Sequence, residues 1–168
     1  MVAVSSDRKG CVAAVGELTS LFRPGSLAVI GASRARGKIG NAIMRNIIES
    51  GYQGKIYPIN PKENEIEGHK AYPSIGAVPG DVDMAVISVP ASKVLAAAGA
   101  CGEKGVKALT VITAGFKETG IEGLDLEKKL LETCHSYGMQ MLGPNCVGFV
   151  DTHTPINASF AATFPIKG

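Results

Sequence analysis

Cationic, hydroxyl and glycine residues gather in one short stretch. From Leu27 to Asn41 the chain reads LAVIGASRARGKIGN, with Ser33, Arg34, Arg36 and Lys38 set among Gly31, Gly37 and Gly40. Three cations in a glycine turn suit a ligand with several phosphates, because guanidinium and ammonium groups make charge-assisted hydrogen bonds to phosphate oxygens. A helix opening at this turn adds free amides and the positive end of its dipole. Two familiar phosphate loops do not fit. A dinucleotide fingerprint calls for glycines at 31, 33 and 36, whereas here they stand at 31, 37 and 40. A Walker A loop has four residues between Gly and Gly-Lys and then Ser or Thr; here five intervene and Ile39 follows the lysine. What remains is a longer cationic loop, whose plain alternative is a solvated turn with glycines that only permit close packing.

A second candidate is Asn60-Pro61-Lys62. NAD sites carry Asp or Glu at the corresponding strand end, for the ribose hydroxyls. A lysine there suits a ribose phosphate, which coenzyme A carries at the 3′ position and NADP at the 2′ position. A solvated surface lysine is the competing reading.

The remaining reactive residues point to no chemistry of their own. His69, His135 and His153 have no legible carboxylate or metal partner, and His135 suits the C-terminal end of a helix. No Ser-His-Asp arrangement is present. Cys146 follows Asn145 without an identifiable base and reads as a buried, inert thiol. Glu118 reads as a solvated loop carboxylate. Cys11, Cys101, Cys134 and Cys146 form no CxxC pair, which argues against zinc and for free thiols in a reducing cytoplasm. In that compartment the sequon Asn157-Ala158-Ser159 has no role.

The elements that must position these residues alternate in type. Strands are expected at 27–31, 55–60, 83–89, 108–113 and 139–142. Pro58 suggests an edge position for the second, and the unbroken apolar run of the third fits a parallel strand covered on both faces. Helices are expected at 13–22, 38–50, 93–104 with Ser92 as N-cap, and 124–137. In the last, Leu124, Leu126, Leu130, Leu131 and Cys134 are assigned inward and Gly138 ends the helix. Residues 1–12 read as a tail and 63–80 as loop with a brief pairing over IEGHKAYPSI. The pattern is a doubly wound, Rossmann-like α/β fold with a mainly parallel sheet and helices on both faces. Ligands of such sheets lie beyond the carboxyl ends of the strands.

Composition agrees. A chain of 168 residues with 45% hydrophobic and 19% charged residues, 21 glycines and no tryptophan is enough for one tightly wound domain. A net charge of +2 is too small to argue for nucleic acid or a membrane surface. No apolar run approaches the roughly 18 residues of a membrane span, and the N-terminal residues lack the apolar core of a signal peptide.

Five strings in order carry a resemblance: LFRPGSLAVIGASRARGKIGNAIMRNI, GKIYPINPKENEIEG, DMAVISVP, GVKALTVITAGFKETG and MLGPNCVGF. Over about residues 18–168 the chain resembles the CoA-binding domain of NDP-forming acyl-CoA synthetases. That group includes the ADP-forming acetyl-CoA synthetases and the succinyl-CoA synthetase α subunit; related protein acetyltransferases carry the same domain. The resemblance implies that Gly31, Ala32, Ser33, Lys38, Ile39 and Gly40 hold the pyrophosphate arm of CoA. Pro61 and Lys62 would face the adenosine end, Ser88, Val89 and Pro90 would border the ligand, and Ile112, Thr113 and Ala114 would line the pantetheine path. Asn145 would lie near the thiol.

In the family a second α/β domain follows with a phosphorylated histidine, and an ATP-grasp module supplies the nucleotide chemistry. None of the three histidines here matches that site. The expectation is therefore a CoA-holding domain, 13–150, with 151–168 as an exit segment. Its partners are the remaining synthetase domains, and the piece alone binds rather than catalyses, with no catalytic or metal residues of its own. The rival readings are a CoA or acyl-CoA sensor, within a protein acetyltransferase or standing alone, and an NADP-dependent oxidoreductase domain.

Overall fold

The computed structural model describes residues 19–163. Within them α1 (Thr19–Phe22) is the part of the expected first helix that can be described; Val15, Leu18 and the expected tail lie outside. Then follow β1 (Ser26–Ile30), α2 (Ile39–Glu49), β2 (Lys55–Ile59), β3 (Glu65–Ile66), β4 (His69–Lys70), β5 (Met84–Ile87), α3 (Ala91–Lys104), β6 (Ala108–Val111), α4 (Ile121–Ser136), β7 (Gln140–Leu142), β8 (Gly148–Asp151) and β9 (Ile156–Ser159). Single 3-10 turns at Ile75–Ala77 and Lys117–Thr119 join them.

The five-stranded parallel sheet has the order β2-β1-β5-β6-β7. β1, β5 and β6 are buried on both faces, so they read as unbroken apolar runs. Alternation sorts their side chains. Leu27, Val29, Met84 and Val86 meet Ile43, Met44 and Ile47 of α2. Ala28, Ile30, Ala85 and Ile87 meet Val94, Ala98 and Cys101 of α3 and Leu130 of α4. Each large aliphatic side chain buried this way contributes about 1.5–3 kcal/mol. Pro58 pairs with Val29 on the edge strand β2, where its missing donor costs least.

The direction of winding reverses between β1 and β5, so a crevice opens at their carboxyl ends.

Several expectations need correction. α3 begins at Ala91, with Pro90 before it and no side-chain cap, so Ser92 lies inside the helix. α4 begins at Ile121, earlier than expected, and its inward line is Gly123, Leu130 and Cys134. Leu124 and Leu131, one residue further round, are 40% and 43% exposed. Gly123 sets this rotation, because a side chain there would collide with the Phe116 carbonyl. Gly138 does follow the helix, with φ 67. Met139 stays out of β7 because its N–H closes on the Cys134 carbonyl at 2.9 Å. Strands β5 and β6 stop at Ile87 and Val111, short of 89 and 113.

The expected exit segment contains β9, which pairs antiparallel with β8, Val150 opposite Asn157. Ile156 and Ala158 are buried in the α2 core. Asn46 of α2 donates to the carbonyls of Ser159 (2.8 Å) and Ala161 (2.9 Å). Polar residues hid this strand: Asn157 and Ser159 are buried because the Asn157 side-chain oxygen accepts from both the N–H and the hydroxyl of Ser159.

Candidate functional site

A cleft of about 810 Å³ opens at the carboxyl ends of β1, β2, β5 and β6. The turn after β1 forms its floor. Gly31 adopts φ 92, and a Cβ there would stand 2.9 Å from the Ser88 carbonyl oxygen, so only glycine lets this turn lie against the end of β5. Gly40, in the first turn of α2, would collide with the Gly31 carbonyl if it carried a side chain. The helix is thereby seated directly on the turn. Lys38 precedes it in extended conformation and makes no side-chain cap. The first N–H groups of α2, at Ile39 and Gly40, lie outside the intrahelical ladder, and Ile39 is 47% exposed at the rim.

The turn after β2 joins the lining of the same cleft. The Asn60 side-chain amide donates to the Ala32 carbonyl (2.8 Å), and its oxygen accepts from the Lys62 N–H (2.8 Å). One side chain thus ties the two turns together and fixes the backbone that carries the Lys62 ammonium. From β5, Ser88 donates its N–H (2.9 Å) and its hydroxyl (3.2 Å) to the Ile30 carbonyl. From β6, the Thr113 hydroxyl donates to the Val89 carbonyl at 2.7 Å.

The cleft therefore brings together Gly31, Ala32, Ser33, Lys38, Ile39, Gly40, Lys62, Ser88, Val89, Pro90, Ile112, Thr113 and Ala114. Two expected residues lie elsewhere. Pro61 lines a neighbouring pocket of about 270 Å³ with Ile59, Pro73, Ile75 and Ala97, which meets the cleft at Gly31, Asn60 and Val89. Asn145, with φ 54, is outside the lining and reaches it only through its backbone, whose N–H donates to the Thr113 carbonyl (3.0 Å). Gly37 and Asn60, which stand in the two candidate stretches without an expected ligand role, also join the lining. Directly after a strand and before Pro-Lys, Asn60 forms the Asx turn that its residue type favours there. The cations divide. Lys38 and Lys62 line the cleft, whereas Arg34 is drawn to Glu63 at 3.4 Å and Arg36 is outside the lining.

Other candidates are resolved by their surroundings. Glu118 is engaged rather than merely solvated: the Gly115 N–H donates to it at 2.6 Å and holds its carboxyl below the usual range. Burial pushes the thiols of Cys101 and Cys134 up to about 12 and about 11, and that of Cys146 upward. His153 does have a carboxylate neighbour, the half-buried Asp151 at 3.7 Å, although the histidine itself is exposed. Among the described residues no group of three or more His, Cys, Asp or Glu could hold a metal ion, and no helix is long and apolar enough to cross a membrane.

Comparison with known proteins covers the same residues. Residues 25–152 match the family described as CoA binding domain. The α subunit of ADP-forming acetate–CoA ligase I of Pyrococcus furiosus is 51% identical over 155 residues, covering 90% of this chain and 34% of the relative. The ADP-forming 4-hydroxybutyrate–CoA ligase of Nitrosopumilus maritimus is 39% identical over 150 residues, covering 88% of this chain and 21% of the relative. The chain thus spans about a third or less of these curated relatives. Among solved structures, the dinucleotide-forming acetyl-coenzyme A synthetase 1 of Ca. Korarchaeum cryptofilum, in complex with phosphate and ADP, superposes with a TM-score of 0.82 at 49% identity, over 85% of this chain and 30% of that one.

Proposed function

From the premise that this chain belongs to the CoA-binding-domain family, we propose that coenzyme A lies across the carboxyl edge of the sheet in the cleft described above. The first turn of α2 and the Gly31–Gly40 loop take the pyrophosphate, where free amides and the helix dipole favour anionic oxygens. Lys62 takes the 3′-phosphate. The apolar pocket beside Pro61 takes the adenine, a flat ring that gains from leaving water. The pantetheine arm passes Ser88–Pro90 and Ile112–Ala114 toward Asn145. The observation that carries this reading is that Lys62 and the first turn of α2 line the same cleft.

In the complete protein we assign the domain to an NDP-forming acid–CoA ligase. There the CoA thiolate attacks the carbonyl carbon of an acyl phosphate, the thioester C–S bond forms, and inorganic phosphate leaves with the C–O bond electrons. This chain's part is orientation of the thiol; the acyl phosphate is made by further domains, for which a second α/β domain and an ATP-grasp module are proposed. The relatives named for acetate and for 4-hydroxybutyrate share this domain, so the acid is recognised elsewhere. The free thiols of Cys101, Cys134 and Cys146 suit a reducing cytoplasm.

Calorimetric titration with CoA and with dephospho-CoA tests the assignment. CoA is expected to bind about tenfold more tightly, the worth of one charge-assisted contact. Equal affinities would remove the role of Lys62, and silence with both ligands would reject the reading.

A further inference from the structure

A phosphate loop must do two things: aim its N–H groups at the ligand and turn its carbonyls aside, since a carbonyl facing a phosphate repels it. Here two consecutive carbonyls are turned aside by side-chain amides. Asn60 takes the Ala32 carbonyl at 2.8 Å, and Asn41 takes the Ser33 carbonyl at 2.9 Å. The peptide is planar and trans, so the N–H that follows each carbonyl points the opposite way. The Arg34 N–H is accordingly directed away from Asn41, which is 2% exposed within α2.

Asn41 is itself held. Its second amide hydrogen goes to the Glu67 carboxylate at 2.7 Å. Glu67 and Gly68 form the two-residue turn between β3 and β4, with φ of 48 and 77. Both central residues of such a turn require positive φ, which Gly, Asn or Asp adopts far more readily than Glu. A glutamate is therefore kept in a conformation that disfavours it, and its carboxylate spans from the hairpin tip to the helix. Arg45, the cation on the same helix, hydrogen-bonds Glu49 at 2.7 Å, and its attraction to Glu67 is the weaker of the two. The hairpin is anchored by Ile66, fully buried in the α2 core.

We infer that Glu67 and Asn41 are positioning residues: the carboxylate orients the Asn41 amide, the amide fixes the Ser33 carbonyl, and the loop's N–H groups are thereby aimed at the ligand's pyrophosphate. This inference rests on the CoA reading of the cleft. It separates a charge that contacts the ligand, Lys62, from one that acts through a second side chain.

The test is calorimetry and thermal unfolding of the full chain carrying Glu67→Gly or Glu67→Gln. Glycine relieves the backbone strain, so Glu67→Gly is expected to keep or raise Tm while weakening CoA about tenfold, the worth of one hydrogen bond to a charged group. Dephospho-CoA should weaken equally, because it keeps the pyrophosphate. Glu67→Gln retains an acceptor and should restore affinity to within about threefold. If Glu67→Gly binds CoA as the parent chain does, loses affinity only in step with a falling Tm, or changes the ratio of the two ligands, the inference is overturned. A glutamine variant as weak as the glycine one overturns it too. If the parent chain itself fails to bind CoA, it is the underlying reading of the cleft that falls.

Discussion

Lys62 is an exposed lysine on a backbone that Asn60 holds, the combination that its proposed 3′-phosphate role requires. An ammonium on a mobile turn would gain little from one phosphate, because ordering the turn would offset the attraction. Lys62→Ala should therefore bring the affinity for CoA down to that for dephospho-CoA, a loss of about tenfold for the first and little change for the second. Parallel titrations check this, and an equal loss for both ligands would mean the lysine acts on something other than the 3′-phosphate. At this scale much of the site could be read in the sequence. Lys62 stands just after β2 and Lys38 and Gly40 stand at the start of α2, where local spacing carries the information. Glu67 and Asn41 could not be found that way, because 26 residues separate them and only the β3–β4 hairpin joins them. Arg34 misled for the opposite reason. Its charge is visible in the sequence, but the carboxylate that engages it, Glu63, comes from a different turn.

Between elements, the contact that most needs explaining is the β8–β9 hairpin on α2. Asn46 supplies both of its amide hydrogens to β9 and the residues after it. Asn46→Ala leaves two carbonyls without a donor, and should destabilise by about 1–3 kcal/mol. Hydrogen exchange should accelerate chiefly over 156–159; acceleration spread evenly over the parallel sheet would contradict this anchoring role. The parallel strands were legible because each is an apolar run between turn signals. β9 was not, because its buried Asn157 and Ser159 satisfy one another and mimic a polar loop. Leu124 and Leu131 were misassigned for a related reason. Periodicity finds an apolar stripe, but the close approach of Gly123 to Phe116 decides which part of it faces inward.

Residues 19–163 are held by two apolar layers on one sheet, and their buried ionisable groups report on that burial. Desolvation raises the Cys101 thiol to about 12, the Cys134 thiol to about 11 and the Tyr52 phenol to about 12. All three are protonated in folded and unfolded chains below about pH 8. Above that the unfolded chain releases these protons first, the thiols before the phenol, so it binds fewer and stability falls as pH rises from about 8 toward 12. Urea midpoints across that range should drop steadily; a flat or rising midpoint would contradict the burial of these groups. The same two layers leave the carboxyl edge of the sheet free to carry ligand, which is where the α2 N-terminus, Asn60 and Lys62 converge. If coenzyme A occupies that edge, backbone amide shifts recorded while CoA is added to the labelled chain will map it. The largest changes should fall at 31–40, 60–62, 88–90 and 112–114. Changes centred elsewhere, or none at saturating CoA, would contradict it.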